Sequence, residues 1–249
     1  MISVCMATYN GERFIKEQID SILPQLDVDD EVIISDDGST DKTIEIITSY
    51  NDKRIKILHH KRNPDFAKKY FRSFYYVTAN FENALIHAKG DYIFLADQDD
   101  IWKEGRVKQM LQELKEYDCV MCNFSVIDSD DNVLYEKYYN DSPIKKTLIQ
   151  NIIASKFIGC CMAFTKSVLE YTLPFPRNLL AHDYWIGCLA NKKYNFKFLE
   201  EPLHFYRRTG DNVSPSVIGS NNPLFYKIMY RVTFSLQIYN RLLKQYAFF

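Results

Sequence analysis

Apolar residues in this chain recur at two spacings, and the spacings alternate. "ISVCMATY" is a strand-length apolar run, and "GERFIKEQIDSILPQL" then places Phe14, Ile15, Ile19, Ile22 and Leu23 at helical intervals. "DEVIISDDGS" predicts a second strand ending in polar residues, and "TDKTIEIITSY" a helix with Ser39 or Thr40 as its cap. "RIKILHH" predicts a third strand, "NFENALIHAKG" a helix stopped by Gly90, and "DYIFLAD" a fourth strand. Strands alternating with helices predict a parallel sheet covered on both faces. In such sheets ligands bind beyond the carboxyl ends of the strands. Polar residues crowd those places: Thr8-Tyr9-Asn10, Asp36-Asp37 and Asp97-Gln98-Asp99.

The second half is less regular. "KTLIQNIIASKFIGCCMAFTKSVLEYTLPFP" mixes helix and strand, and "LLAHDYWIGCLANKK" predicts a helix opened by polar residues. "FKFLEEPLHFYRRTGDNVS" predicts a strand, a turn, and a second strand or loop. The basic, aromatic stretch "KRNPDFAKKYFRSFYY" (61–76) is taken as a solvated connector with apolar anchors, the alternative being a basic flap over a phosphate. After Asp211 no acidic residue occurs, and "PLFYKIMYRVTFSLQIYNRLLKQY" has helical length. Lys227, Arg231 and Arg241 fall on one side of that helix, within about 80°. Two destinations fit it: docking on the domain, or lying on an anionic membrane surface.

Composition narrows the choice of partner. A chain of 249 residues, 47% hydrophobic, suits one large α/β domain with a sizeable core. A net charge of −1 gives no bias toward nucleic acid. The opening residues have no basic leader, and the apolar run from Phe157 to Phe164 is far below the ~18 residues of a spanning helix, so a cytoplasmic protein is expected. Cys119 and Cys122, three apart on a predicted strand, point to opposite faces; buried free thiols are expected rather than a metal cluster.

"FLADQDDIW" closes an apolar run on Asp97, Asp99 and Asp100, and so demands positive partners. Carboxylates on a strand end can serve as acid and base, as a metal site or as a helix cap. Oxygen ligands on a tight turn suit Mg²⁺ or Mn²⁺, which Asp97 and Asp99 fit, while Asp100 is available to cap a helix beginning near Ile101.

"MATYNGERFIKEQIDSIL", "VIISDDGSTDKT", "NFENALIHAKGDYIFLADQDDIW", "HDYWIGCLA" and "YRRTGDNVS" resemble, in order and spacing, the family-2 inverting glycosyltransferases, and most of all the bacterial rhamnosyltransferase-like subgroup. The resemblance runs from about Ser3 to Ser214 and leaves out the tail. It implies an A-type glycosyltransferase fold, α/β, with a Rossmann-like nucleotide-binding half (1–102), an acceptor-binding half (103–215), a mixed central sheet and a C-terminal helical tail (216–249). It implies a nucleotide site at Thr8, Tyr9 and Glu12, with Asp37 bonding the base imide. Asp97 takes the ribose side, Asp99 the metal, and Arg207 with Tyr206 the diphosphate. Asp183 becomes the catalytic base. The segment from Ile158 to Phe164, with Gly159 and Cys160, lines the acceptor site, and Trp185 is the candidate sugar contact. His182 is expected to be a partly exposed neighbour of the base. By its residues alone, Asp183 reads first as a helix N-cap before "YWIGCLA". Three features depart from the family pattern: Thr209 stands where many relatives carry His, the 61–76 stretch is long, and Ala79 replaces a frequent basic residue.

Inverting sugar transfer needs the leaving diphosphate neutralised, a carboxylate to take the acceptor proton, and reactants held in line. The resemblance therefore implies a metal-dependent (Mn²⁺ or Mg²⁺) hexosyltransferase. Its donor would be a nucleoside diphosphate sugar, dTDP-rhamnose first and a UDP-hexose such as galactose or glucose second. Its acceptor would be a hydroxyl of a lipid-linked cell-surface glycan precursor, with nucleic acid excluded, peripheral contact at the inner membrane face, and a homodimer left open. Two other classes stay in view. A nucleotidyltransferase would carry a Gly-rich basic loop after the first strand, and "ATYNGERF" has one Gly and one Arg. A silent sugar-nucleotide-binding module would keep the fold without the turnover.

Overall fold

A computed structural model describes residues 1–154, 156–210 and 223–244. The end of the "YRRTGDNVS" motif and the expected boundary at 215–216 lie outside the described residues. The first half alternates as its pattern predicts: β1 (Ile2–Thr8), α1 (Ile15–Ile22), β2 (Glu31–Asp36), α2 (Thr43–Ser49), β3 (Ile55–His59), α3 (Arg72–Leu85) and β4 (Tyr92–Asp97). Then follow β5 (Ile101–Trp102), α4 (Arg106–Glu113), β6 (Cys119–Ile127), β7 (Val133–Tyr135), α5 (Leu148–Ile153), β8 (Met162–Thr165), α6 (Lys166–Thr172), α7 (His182–Lys193), β9 (Phe196–Arg207) and α8 (Leu224–Lys244).

The strands form one sheet in the order β3-β2-β1-β4-β8-β6-β9-β5, with β7 on β6. Strands β1 to β4 are parallel neighbours, as the alternation in this half predicts. β8 runs antiparallel to both β4 and β6, and β6 and β9 are again parallel, giving the mixed sheet of the glycosyltransferase expectation. All nine residues of β6 are buried, as a strand covered on both faces requires. α1 buries Ile15, Ile19 and Ile22, the apolar stripe its spacing predicts.

Several local expectations are corrected. α2 begins at Thr43, because the Ser39 hydroxyl donates to Asp36 (2.5 Å) and accepts from the Asn10 amide (2.9 Å). α3 starts eight residues before Asn80 and ends at Leu85. Gly90 is therefore no helix stop; it lets the chain pass β1, where a Cβ would come 2.6 Å from the Ser3 nitrogen. Asp100 caps no helix, since Ile101 and Trp102 pair with β9 and α4 waits until Arg106. β9 is one twelve-residue strand with shifts of register against β6, not a strand and a turn. All six cysteines are free and buried.

The tail helix docks on α5 and α7, with Phe234 and Ile238 inside the core. Arg231 and Arg241 turn inward. Arg231 Nε donates to the Ile153 carbonyl (3.0 Å), and Arg241 Nη1 donates to the carbonyls of Tyr171 and Leu173 (both 2.9 Å). The outward face is apolar instead, with Phe225 67%, Leu236 60% and Leu243 62% exposed. Among the described residues no helix is long and apolar enough to cross a membrane.

Candidate active site

A cavity of about 1160 Å³ opens beyond the carboxyl ends of β1 and β4. Thr8, Tyr9, Asp37, Asp97, Asp99, Gly159 and Asp183 all line it, from positions far apart in the sequence. The two strand ends are tied together by Gln98. Its side-chain oxygen accepts from the Tyr9 amide (2.8 Å), and its nitrogen donates to the Tyr9 carbonyl (3.2 Å). Gln18 of α1 fixes the same turn by donating to the Asp97 carbonyl (2.7 Å).

One end is floored by Asp37, whose carboxylate meets His60 Nδ1 (2.5 Å) and Arg62 Nε (3.1 Å). The Arg62 guanidinium lies 3.5 Å over the Tyr9 ring and 4.7 Å over Tyr76. Arg62, Phe71, Arg72 and Tyr76 line the cavity, so the 61–76 stretch forms a wall of it and is not merely a solvated connector. Thr8 is held beneath by its hydroxyl, which donates to Asp36 (2.9 Å). Glu12 is off the wall: its carboxylate accepts from the Lys42 amide (2.9 Å) ahead of α2.

The acidic turn is divided in its partners. Asp100 is buried. It accepts from His204 Nε2 (2.8 Å) and from the Arg207 amide (2.8 Å). His204 Nδ1 in turn accepts from Arg106 Nη1 (2.5 Å), and Arg106 Nη2 donates to the Cys160 carbonyl (2.5 Å). This fixes the His204 tautomer with its proton on Nε2, and burial lowers its pKa, keeping the ring neutral. Cys160, Cys161 and His204 approach one another as a metal set might, but both ring nitrogens are committed and Arg106 stands beside them. Asp97 and Asp99 face the cavity. Burial, then Asp100, Asp99 and Asp183, raises Asp97 well above the ordinary carboxylate range, and burial with Asp100 raises Asp99 to about 7. Two acids made reluctant to ionise by burial and mutual repulsion are the donor set a divalent cation relieves, and they fit Mg²⁺ or Mn²⁺.

Arg207 is not where the motif implies. It is 1% exposed and absent from the wall. Its Nε donates to the Asp99 carbonyl (2.9 Å), Nη2 pairs with Glu17 (2.7 Å), Nη1 pairs with Asp131, and its plane covers Phe14 at 4.5 Å. It buttresses the acidic turn from behind. Tyr206, its neighbour, does reach the cavity.

At the other end, Asp183 sits in the first turn of α7, partly open to the cavity. The N-cap is Ala181, and the Asp183 carboxylate accepts from the adjacent Tyr184 amide (2.8 Å), so it is not the cap. Burial pushes its pKa up to about 7, against backbone donors that lower it. His182 is buried, not partly exposed. It stacks on Phe81 at 4.0 Å, its Nε2 has no partner, and burial lowers its pKa to about 3. Gly159 brings its loop against both: a Cβ there would lie 3.2 Å from Asp183 Cβ and from His182 Nε2. Cys160 lies beneath the acidic turn, off the wall. Trp185 is core: fully buried, its Nε1 donates to the Thr172 carbonyl (2.9 Å), and Arg241 covers its ring. The wall is completed by residues that no motif marks, among them Lys156, Lys227, Tyr230 and Arg231. The one signal for the last three was the acid-free tail.

The family described as Glycosyl transferase family 2 matches residues 3–173. A dTDP-rhamnosyl transferase RfbG of Shigella flexneri is 28% identical over 221 residues, 83% of this chain and 72% of that protein. The chain spans about two thirds of the length of the first curated relatives it matches. In fold it is similar to S. aureus TarS 1-349 in complex with UDP (TM-score 0.61, 18% identity, covering 94% of this chain and 70% of that one). It is likewise similar to the mannosyltransferase PcManGT from Pyrobaculum calidifontis in complex with GDP-Man and Mn2+ (TM-score 0.54, 17% identity, 98% and 64%). With a sheet and a cavity of this form and a match across more than half its length, the chain belongs to glycosyl transferase family 2.

Proposed function

We propose that this protein transfers a sugar, with inversion, from a nucleoside diphosphate sugar to a hydroxyl of a lipid-linked glycan precursor. The observation that carries the reading is one cavity with Asp97 and Asp99 on one wall and Asp183, raised to about 7, on another. Tyr9, Asp37 and Arg62 receive the base, and Thr8 supports that floor. Asp97 faces the ribose. A divalent cation at Asp99 supplies counter-charge for the leaving diphosphate. Asp183 takes the acceptor proton, its pKa matched to neutral pH. Residues 1–102 then form the donor half and 103–215 the acceptor half, with the tail from 216 onward serving the acceptor side. The Mn2+ bound with GDP-Man in PcManGT supports the metal, and the name of the Shigella relative supports dTDP-rhamnose as donor. A place on the cytoplasmic face of the inner membrane accords with a lipid-linked acceptor.

The test is calorimetric titration with dTDP and UDP, with and without Mn²⁺. Metal-dependent binding that favours dTDP and is lost in Asp99→Asn is expected. Equal affinity with and without Mn²⁺ would remove the metal, and a preference for UDP would replace rhamnose with a UDP-hexose.

A further inference from the structure

The family match ends at residue 173, yet α8, from Leu224, supplies part of the cavity wall. Lys227, Tyr230 and Arg231 come from this helix, and Lys156 comes from the loop after α5. All four line the same cavity, and Arg231 ties α8 to the end of α5. Arg231 Nε donates to the Ile153 carbonyl (3.0 Å) at the end of α5, and Arg231 Nη1 to the Lys227 carbonyl (3.4 Å) one turn earlier. The carboxylates that line the cavity are Asp37, Asp97, Asp99 and Asp183, and none of them lies on α5, the loop after it, or α8. Among the described residues no carboxylate pairs with Lys156 or Arg231. Lys156 and Arg231, on a cavity wall with no paired carboxylate among the described residues, give that wall the charge of an anion site, and planar Arg suits phosphate oxygens.

Two further observations point to a ligand here. The Tyr230 hydroxyl is buried, lines the cavity and has no hydrogen-bond partner, and the same holds for His182 Nε2 in the turn that carries Asp183. A buried polar atom left unpaired is costly, and both atoms belong to residues of the cavity wall. Beside the cations a second groove, about 240 Å³, runs between α5 and α8 along Ile149, Val232 and Tyr239. It shares Ile152, Ile153 and Arg231 with the main cavity. Its lining includes exposed Ile149 (59%), Ile153 (57%) and Val232 (51%). Polarity therefore changes along one path, from carboxylate base to cations to an apolar surface.

We propose that α8 builds the acceptor subsite. Lys156, Lys227 and Arg231 hold the phosphate of an acceptor saccharide, and the apolar chain esterified to that phosphate leaves along the α5–α8 groove. This rests on the glycosyltransferase reading and deepens it by assigning the anchoring group and the residues that grip it. Water-soluble phosphodiester acceptors share the phosphate chemistry, but they would have no use for the apolar exit.

The test is calorimetry with farnesyl diphosphate, inorganic pyrophosphate and farnesol on the full chain. Farnesyl diphosphate is expected to bind at least tenfold more tightly than either of the others, and to bind unchanged when dTDP or UDP with Mn²⁺ saturates the donor end. Lys156→Gln and Arg231→Gln each weaken it about tenfold, and Ile149→Asp weakens farnesyl diphosphate but not pyrophosphate. Nucleotide affinity in all three variants stays within twofold of the parent. Displacement by nucleotide, equal binding of farnesol, or indifference to both Gln variants overturns the subsite. Pyrophosphate binding as tightly as farnesyl diphosphate overturns the lipid. Lys156 is exposed, so its variant reads the site even where Arg231→Gln fails to fold. If neither nucleotide binds, the donor reading fails while the farnesyl arm still stands.

Discussion

At the donor end of the cavity, polar side chains hold one another. Asp37 is gripped by His60 and Arg62, Tyr9 lies under Arg62, and Thr8 is bonded to Asp36. At the acceptor end fewer bonds are made: Asp183 meets only backbone donors, and among the described residues His182 Nε2 and the Tyr230 hydroxyl have no partner. The first arrangement is pre-organised, as suits a fixed nucleotide moiety whose binding energy should not be spent on ordering side chains. The second leaves hydrogen-bonding capacity for an incoming hydroxyl and phosphate. The contrast predicts that changes at the donor end act on affinity and stability, whereas changes at the acceptor end act on turnover.

The largest effect is expected at Asp183. Asp183→Asn keeps the shape and removes the proton acceptor, so kcat should fall about 10³-fold while nucleotide affinity is unchanged. In the parent, kcat/KM should fall about tenfold per pH unit below about 7 and level off above it, since only the ionised carboxylate accepts a proton. Full turnover in the variant, or a profile flat from pH 5 to 8, would remove Asp183 from the reaction and erase the contrast.

Next in size is a break beneath the donor turn. Asp100, His204 and Arg106 form a buried chain of bonds, and His204→Leu leaves a carboxylate and a guanidinium facing each other's former partner. Stability should drop by about 3 kcal/mol in urea titration, with nucleotide affinity reduced as the Asp97–Asp99 turn loosens. A variant as stable as the parent would show that water or Arg106 replaces the imidazole. Smaller again is Arg62→Ala, which removes the lid on Tyr9 and one partner of Asp37. Nucleotide affinity should weaken about tenfold, worth about 1.4 kcal/mol, with kcat little altered once donor is saturating.

The same contrast explains what could be read from the sequence. Thr8, Asp37, Asp97 and Asp99 were legible because a parallel sheet sends every strand's carboxyl end to one edge, whatever packs elsewhere. The place of Asp183 on the cavity wall was legible only through a motif, since its residues alone favour a cap. Trp185 was misread because helical position does not say which face turns inward, and here it is the buried one. Arg207 was misread because a cation near a phosphate motif can equally buttress the turn, which Glu17, Asp131 and the Asp99 carbonyl make it do. Asp100 was misread because β9 captures Ile101 and Trp102 before a helix can begin. The inward turn of Lys227 and Arg231 depends on how α8 meets α5, a tertiary contact with no local signature.

An effect of opposite sign sharpens the comparison further. Asp183 holds its proton up to about 7 in the folded protein, against an ordinary value of 3.8. Between those two values the folded state binds more protons than the unfolded state, so this group's contribution to stability falls as pH rises through the window. Above pH 7 the enclosed carboxylate is charged, and its burial is a net cost. Asp183→Asn removes that cost. Discounted for the group's partial opening to the cavity, the gain is about 2 kcal/mol at pH 8, a rise in Tm of about 5 °C, and it should vanish near pH 4. An inactive variant that melts higher at pH 8 and identically at pH 4 would show the acceptor end trading stability for a poised base. A variant that melts lower at pH 8 would mean that the carboxylate is already satisfied there, and that the openness of this end has been misjudged.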